Sequence, residues 1–276
     1  MTIGLYNLEP KYTNLALEKI RAYHTQRGDI AYDYNHIEHE RYDKIYCSSL
    51  FTWSDKSYVT DDMICGGTGF DLTTTLPPEI DEITPRINIG FTTRGCIRHC
   101  PFCVVPEKEG RLRQDNAIDE FWDGIATAIT VMDNNWLADK DWFMENARLV
   151  IDMGLAVREH GLDIRLIDPD TAQILSLMKH DKQYHFAWDL MKDEPLIMNG
   201  LNTLLEYIRP YKIMFYVLVG FNTSEEEDLY RVEKLREKGI DPFVMPFNKN
   251  PKCKDFARWV NHKAIFKSVP WKEYHR

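Results

Sequence analysis

The sequence predicts an α/β protein in which a small unit precedes a larger one. Three observations carry this expectation. Short apolar runs alternate with segments of helical periodicity along the chain, most of those runs end in glycine-, hydroxyl- or amide-rich loops, and prolines at 77, 78 and 85 interrupt the pattern once. The bounds that follow are residues 1–85 for a small α/β unit, 86–248 for a larger unit of strand–loop–helix repeats, and 249–276 for a tail. A length of 276 residues suits one large domain or two modest ones. The composition, 44% hydrophobic and 28% charged, excludes a disordered chain, and no apolar run approaches the ~18 residues needed to span a bilayer. A formal charge of −9 excludes a generic nucleic-acid binder.

In the small unit, Ile3 to Leu5 reads as a buried strand, not as a signal peptide, because no basic start or long apolar stretch accompanies it. A cytoplasmic protein is therefore expected. Leu15, Leu17, Ile20 and Tyr23 recur at helical spacing up to Gly28, a helix stop. Ile30 to Tyr34 alternates like a strand, Lys44 to Cys47 reads as another, and Met63-Ile64-Cys65 is a third run closed by Gly66-Gly67-Thr68-Gly69. Parallel strands joined by crossovers leave a crevice at their C-terminal ends.

The strands expected in the larger unit are Ile87–Phe91, Ala128–Met132, Ile164–Ile167, His185–Trp188, Met214–Val219 and Pro242–Pro246. The helices between them are Asp119–Gly124, Trp142–His160, Thr171–Met178, Pro195–Tyr207 and Ser224–Lys238. Six such repeats need a parallel sheet covered by helices, either open or rolled into a partial barrel.

The strongest chemical signal is the loop Thr92-Thr93-Arg94-Gly95-Cys96-Ile97-Arg98-His99-Cys100-Pro101-Phe102-Cys103, directly after the first strand of the larger unit. Six cysteines in a chain without secretory features favour metal or redox chemistry over disulfides. Cys96, Cys100 and Cys103 follow a C-x3-C-x2-C spacing, and thiolates suit zinc or an iron–sulfur cluster. A structural zinc site usually takes four ligands in two pairs. Three thiolates can instead hold three irons of a [4Fe–4S] cluster and leave the fourth iron open to a substrate or cofactor. Arg94, Arg98 and His99 supply cationic or donor groups beside such an anionic centre. Two other readings stay open: a zinc knuckle with His99 as fourth ligand, and an electron-transfer cluster completed by Cys47, Cys65 or Cys253.

This loop, with aromatic Phe102 just before the last cysteine, resembles the signature of the radical S-adenosylmethionine (radical SAM) superfamily. The resemblance implies an enzyme with a partial (β/α)6 barrel from Ile87 to about Asn248, preceded here by a small Rossmann-like α/β domain. It implies a [4Fe–4S] cluster on Cys96, Cys100 and Cys103, and SAM chelating the open iron through its amine and carboxylate. Reductive cleavage of SAM then gives a 5′-deoxyadenosyl radical that abstracts a substrate hydrogen, with an electron delivered by a reductant such as flavodoxin or ferredoxin. The chain also looks like an uncharacterised group of bacterial and phage radical SAM proteins that share the Thr-Arg-Gly-Cys, Asp-Asn-Asn and Phe-Asn-Thr segments.

In such a barrel the cofactor sits at the strand C-termini. After the second strand, Asp133-Asn134-Asn135 stands where the family often carries a Gly-Gly-Glu-type motif, so Asp133 or Asn135 is the candidate for the methionine amine; the plainer role is a turn and helix cap. Arg165 is the candidate for the SAM carboxylate, against a salt bridge with Asp163. Asp189, at the end of the fourth strand, suits ribose hydroxyls or substrate. Val219 and Asn222, in a Gly-x-x-x-Ser/Thr-type turn around Gly220, and Met245 on the last strand are the candidates for the adenine side, with Phe102 beside the cluster.

The small unit is similar to a shortened form of the domain that precedes many cobalamin-dependent radical SAM proteins. The Asp-x-His-x-x-Gly cobalamin motif is absent, so cobalamin is not expected, and cobalamin-dependent methylation and a non-catalytic Fe–S electron carrier stand as alternatives. The tail carries eight basic residues against two acidic ones, interleaved with Phe256, Trp259, Phe266, Trp271 and Tyr274. A basic aromatic strip can track nucleic acid, but an amphipathic helix from Asp255 to Phe266 that packs on the larger unit explains it more simply. No membrane partner is expected.

Overall fold

A computed structural model describes residues 1–248 and 250–274; Lys249 and Arg276, two of the tail's basic residues, lie outside the described residues. The small unit is a four-stranded, all-parallel sheet in the order Ile30–Asp33, Thr2–Asn7, Lys44–Ser48, Ile64–Gly66. The period of two along Lys44–Ser48 sends Tyr46 to one face and Ile45 and Cys47 to the other. Ile3, Leu5, Leu17, Ile20, Tyr46 and Ile80 form one core cluster, and Ile45, Cys47 and Met63 form a second. The helix Leu15–Gln26 starts on Asn14, whose side chain accepts from the Leu17 N–H, and ends before Gly28 at φ +81°. The proline stretch does not run free. Pro78–Asp81 forms a helical turn that returns Ile80 to the core, and Lys19 Nζ meets Asp81 Oδ1 at 3.0 Å.

The larger unit contains two parallel sheets. One runs in the order Lys179–His180, Ala156–Glu159, Ala128–Val131, Ile89–Gly90; the other joins Tyr184–Ala187, Ile213–Val219 and Asp241–Pro246. The helices Ile118–Phe121, Lys140–Asp152, Pro169–Leu177, Glu194–Leu205 and Glu225–Glu237 alternate with these strands and contribute Phe143, Val150, Leu175, Leu201 and Val232 to one continuous core. Among the described residues no helix is long and apolar enough to cross a membrane.

One expected strand is displaced. The helix expected to run to His160 ends at Asp152, Gly154 takes φ +68°, and the third strand is Ala156–Glu159. Ile164–Leu166 is a 3-10 turn opened by Asp163, whose side chain accepts from the Arg165 N–H. Ile164 and Ile167 are both buried, three residues apart, which is helical spacing and not the alternation of a strand.

The tail folds as two helices, Pro251–Asn261 and Lys263–Ser268, and buries Phe256, Trp259 and Phe266. Trp271 Nε1 donates to Glu225 at 2.7 Å, and Asn261 bonds both the N–H and the carbonyl of Val244. The tail thereby covers part of the outer edge of strand Asp241–Pro246, a position that otherwise invites pairing with another chain.

Arg231 fixes the second sheet from the helix side. Its fully buried guanidinium donates to the carbonyls of Trp188, Asp189 and Leu218 and to Asp228. Arg231→Ala strands three buried carbonyls and a carboxylate together, and should cost about 3–5 kcal/mol in urea unfolding; a loss under about 1 kcal/mol would show that water replaces the guanidinium there.

Candidate functional site

The cysteine loop is anchored at both ends by carboxylates. At its start the buried Asp133, just past strand Ala128–Val131, accepts from the backbone N–H and hydroxyl of both Thr92 and Thr93 at 2.6–2.8 Å. Burial pushes the Asp133 carboxyl up to about 6, and those four donors work the other way. Beyond the loop, Glu109 accepts from the Gly95 N–H at 3.0 Å, Arg94 Nε at 3.1 Å and Asn134 Nδ2 at 3.0 Å. Gly95 has to be glycine. It adopts φ +77°, and a Cβ there would meet the Arg111 carbonyl oxygen at 2.4 Å.

Within the loop the Arg98 N–H donates to Cys96 Sγ at 3.3 Å, and the Cys103 N–H donates to the Cys100 carbonyl at 3.0 Å. All six cysteines are free thiols. Burial raises the Cys100 thiol while Arg165 opposes it. Cys96, Cys100 and Cys103 line one cavity of about 260 Å³. Among the described residues no three His, Cys, Asp or Glu side chains are drawn together closely enough to hold a metal ion.

The same cavity is lined by Phe102, Asn135, Arg165 and Asp189, so four predicted positions from separate parts of the chain meet the cysteines there. Asn135 is 4% exposed, and neither its Nδ2 nor its Oδ1 has a partner. An amide buried with both polar atoms unpaired is costly unless a ligand or water satisfies it. The donor chemistry suits an iron–sulfur cofactor, with three soft donors on one loop, an N–H on a sulfur and an unpaired amide alongside, although the three sulfurs are not gathered into a ready ligand group.

Four predicted positions lie outside the lining. Asp133 turns to the two threonines. Val219 is fully buried: along Ile213–Val219 the odd residues are buried, while Tyr216, of opposite parity, lines the cavity. Asn222 occupies the turn after that strand at φ +51°. Met245 lies on the exposed side of the edge strand, 47% accessible.

The charges around the cavity are paired. Arg165 Nε and Nη2 reach the two oxygens of Asp163 at 2.7 and 3.0 Å, and Nη1 reaches Asp193 at 2.8 Å. Arg98 Nε holds Asp163 as well, at 2.9 Å. Burial works against the ionised Asp163, but the two arginines keep it below the usual carboxylate range. Burial pushes Asp189 up to about 6, with the Leu218 N–H its one backbone donor.

The sequence reading passed over several groups. His160, His185 and Tyr216 line the cavity, and the buried Glu159 contacts His185. Glu109, with a side chain 10% exposed, is a hub of the loop. The only sequence signal for these was a run of polar residues around a strand that had been placed elsewhere.

No family model matches the chain, and no curated protein matches its sequence. A solved structure of similar fold is that of the radical S-adenosylmethionine methyltransferase TsrM from Kitasatospora setae, with cobalamin and a [4Fe–4S] cluster bound. The two share 11% sequence identity at a TM-score of 0.67, over 89% of this chain and 74% of that one. Too few residues are left unmatched for the small unit to be omitted. The expectation of no cobalamin receives no support from this neighbour.

Asp163 gives a pH test. Its folded value lies below that of the unfolded chain, so its stabilisation is complete above about pH 4 and is lost as pH falls through the folded value. Asp163→Asn should flatten that acid limb in urea unfolding and lower stability at pH 7 by about 1–3 kcal/mol. An unchanged acid limb would mean that the two arginines do not stabilise the carboxylate.

Proposed function

We propose that the chain is a radical SAM enzyme whose cluster is held by Cys96, Cys100 and Cys103. The observation that carries this is the C-x3-C-x2-C loop, lining the same cavity as the unpaired amide of Asn135. When bound, the cluster supplies the electron that splits SAM into methionine and a 5′-deoxyadenosyl radical. The residues of the chain bind and orient. Asn135 offers a carbonyl oxygen to the amine of SAM and an N–H₂ to its carboxylate. Arg165 has five N–H donors, of which three are spent on Asp163 and Asp193, so two remain for a carboxylate. Asp189 keeps an oxygen free for a ribose hydroxyl or the substrate. Phe102, packed edge-on against Phe221 at 5.4 Å, gives the cysteine loop an apolar side. A flavodoxin or ferredoxin is the class of donor that such a cluster needs.

Anaerobic reconstitution should give about four irons per chain, and each of Cys96→Ala, Cys100→Ala and Cys103→Ala should abolish this. SAM should change the EPR spectrum of the reduced cluster, and dithionite should release 5′-deoxyadenosine. Asn135→Ala should weaken SAM binding about tenfold with the iron content unchanged. A reduced cluster indifferent to SAM would overturn the proposal in favour of an electron carrier.

A second reading, cobalamin-dependent methyl transfer, is favoured by one observation: the match to the cobalamin-bearing neighbour, over 89% of the chain, takes in at least part of the small unit. Under it the full chain retains hydroxocobalamin through gel filtration, with the visible bands of the bound corrin. A chain that emerges colourless at micromolar protein would remove this reading and leave the first in place.

A further inference from the structure

Part of the cavity lining away from the cysteine loop is built by His160, His185 and Tyr216. His185 lies on strand Tyr184–Ala187, and its ring stacks on Tyr216 of the neighbouring strand, with centroids 5.8 Å apart and planes at 23°. Glu159 closes strand Ala156–Glu159 of the other sheet with a side chain that is 0% exposed. It accepts from the His185 backbone N–H at 2.8 Å and contacts ring Nδ1 at 3.3 Å. On its other side, His180 Nε2 stands 3.3 Å from Glu159 without the angle of a hydrogen bond.

An ionised carboxylate can only accept, so the hydrogen of the neutral His185 ring is on Nδ1 and the lone pair is on Nε2. The ring's one side-chain hydrogen bond among the described residues is made by Nδ1, which leaves Nε2 for a ligand. Burial opposes charge on Glu159, yet the two histidines hold it below the usual carboxylate range, and Glu159 in turn raises the His185 imidazole above its ordinary value. The other titratable groups around the ring are His160, His180 and Tyr216. Burial lowers His160 and raises Tyr216.

We propose that His185 accepts a proton from the molecule transformed in this cavity, with Glu159 as its positioning residue, and that this molecule presents an acidic O–H or N–H to Nε2. In that step the O–H or N–H bond breaks, its electron pair stays on the heteroatom, and an Nε2–H bond forms. The imidazolium is balanced by the carboxylate already bonded to Nδ1. The inference rests on the cavity being the reaction site proposed above, and its test requires neither cluster nor SAM.

The probe is 4-nitrophenol, an aromatic O–H donor whose phenolate absorbs in the visible. At fixed pH the full chain, before and after anaerobic reconstitution, should bind it and enrich the phenolate band over buffer. His185→Asn keeps a donor for Glu159 and removes Nε2; it should abolish the enrichment and weaken binding about tenfold. Glu159→Gln should reduce the enrichment. Nitrogen NMR of the wild-type chain supplies a readout independent of any variant: neutral His185 should carry its hydrogen on Nδ1, and Glu159→Gln should shift it toward Nε2. A phenol that does not bind, or binds un-ionised, or binds His185→Asn equally well, would overturn the proposal, as would a wild-type ring protonated on Nε2 alone. A chain that fails to assemble a cluster but ionises the phenol would defeat the enzyme reading and leave the proton acceptor intact.

Discussion

The carboxylate of Asp133 is where strand Ala128–Val131 takes hold of the cysteine loop. Four hydrogen bonds from two consecutive threonines end on its two oxygens. Desolvating a carboxylate costs several kcal/mol, and only a dense set of donors offsets it. The threonines can supply that set because strand Ile89–Gly90 pairs in parallel with Ala128–Val131 and so delivers Thr92 and Thr93 to the same level. From Thr93 the chain has only Arg94 and Gly95, the latter at φ +77°, before the first cysteine. Of the three polar residues after the second strand, Asp133 holds the start of the loop, Asn134 bonds Glu109 near its far end, and Asn135 lines the cavity with its amide unpaired. The direction of the loop is therefore set by interactions that never touch a ligand.

Several parts of this arrangement were legible in the sequence for physical reasons. The cysteine spacing is local chemistry, and Ser224 before Glu227 forms the reciprocal cap that such a pair announces. The strand Ile213–Val219 is long and apolar enough for its type to be plain. Parity within it was not: apolarity on both faces hides which side meets helices and which meets the cavity, and only the stacking of Tyr216 on His185 decides it. The strand Ala156–Glu159 was hidden because it is four residues long and ends on two charges. A buried glutamate is rare without a partner, and the ring partner of Glu159 lies 26 residues further on. The partners of Glu109 likewise come from across a loop whose course no pattern of residue types reveals.

The pairing of charges bears on how the cavity selects what it holds. Arg98 and Arg165 face Asp163 and Asp193, and Glu109 faces Arg94. Opposite charges this close cancel at the distance of an approaching ligand, and salt screens what remains within ~10 Å. Charges paired in this way exert little long-range pull on anions or cations. Recognition falls instead to the few groups left unsatisfied: the amide of Asn135, the Nε2 of His185 and one oxygen of Asp189. Each is directional and short-ranged, so a ligand that fails to meet them leaves buried polar atoms unpaired. Such groups discriminate by geometry, and the paired charges around them, with the Glu159 contact to His185, keep the side chains in place while they do so.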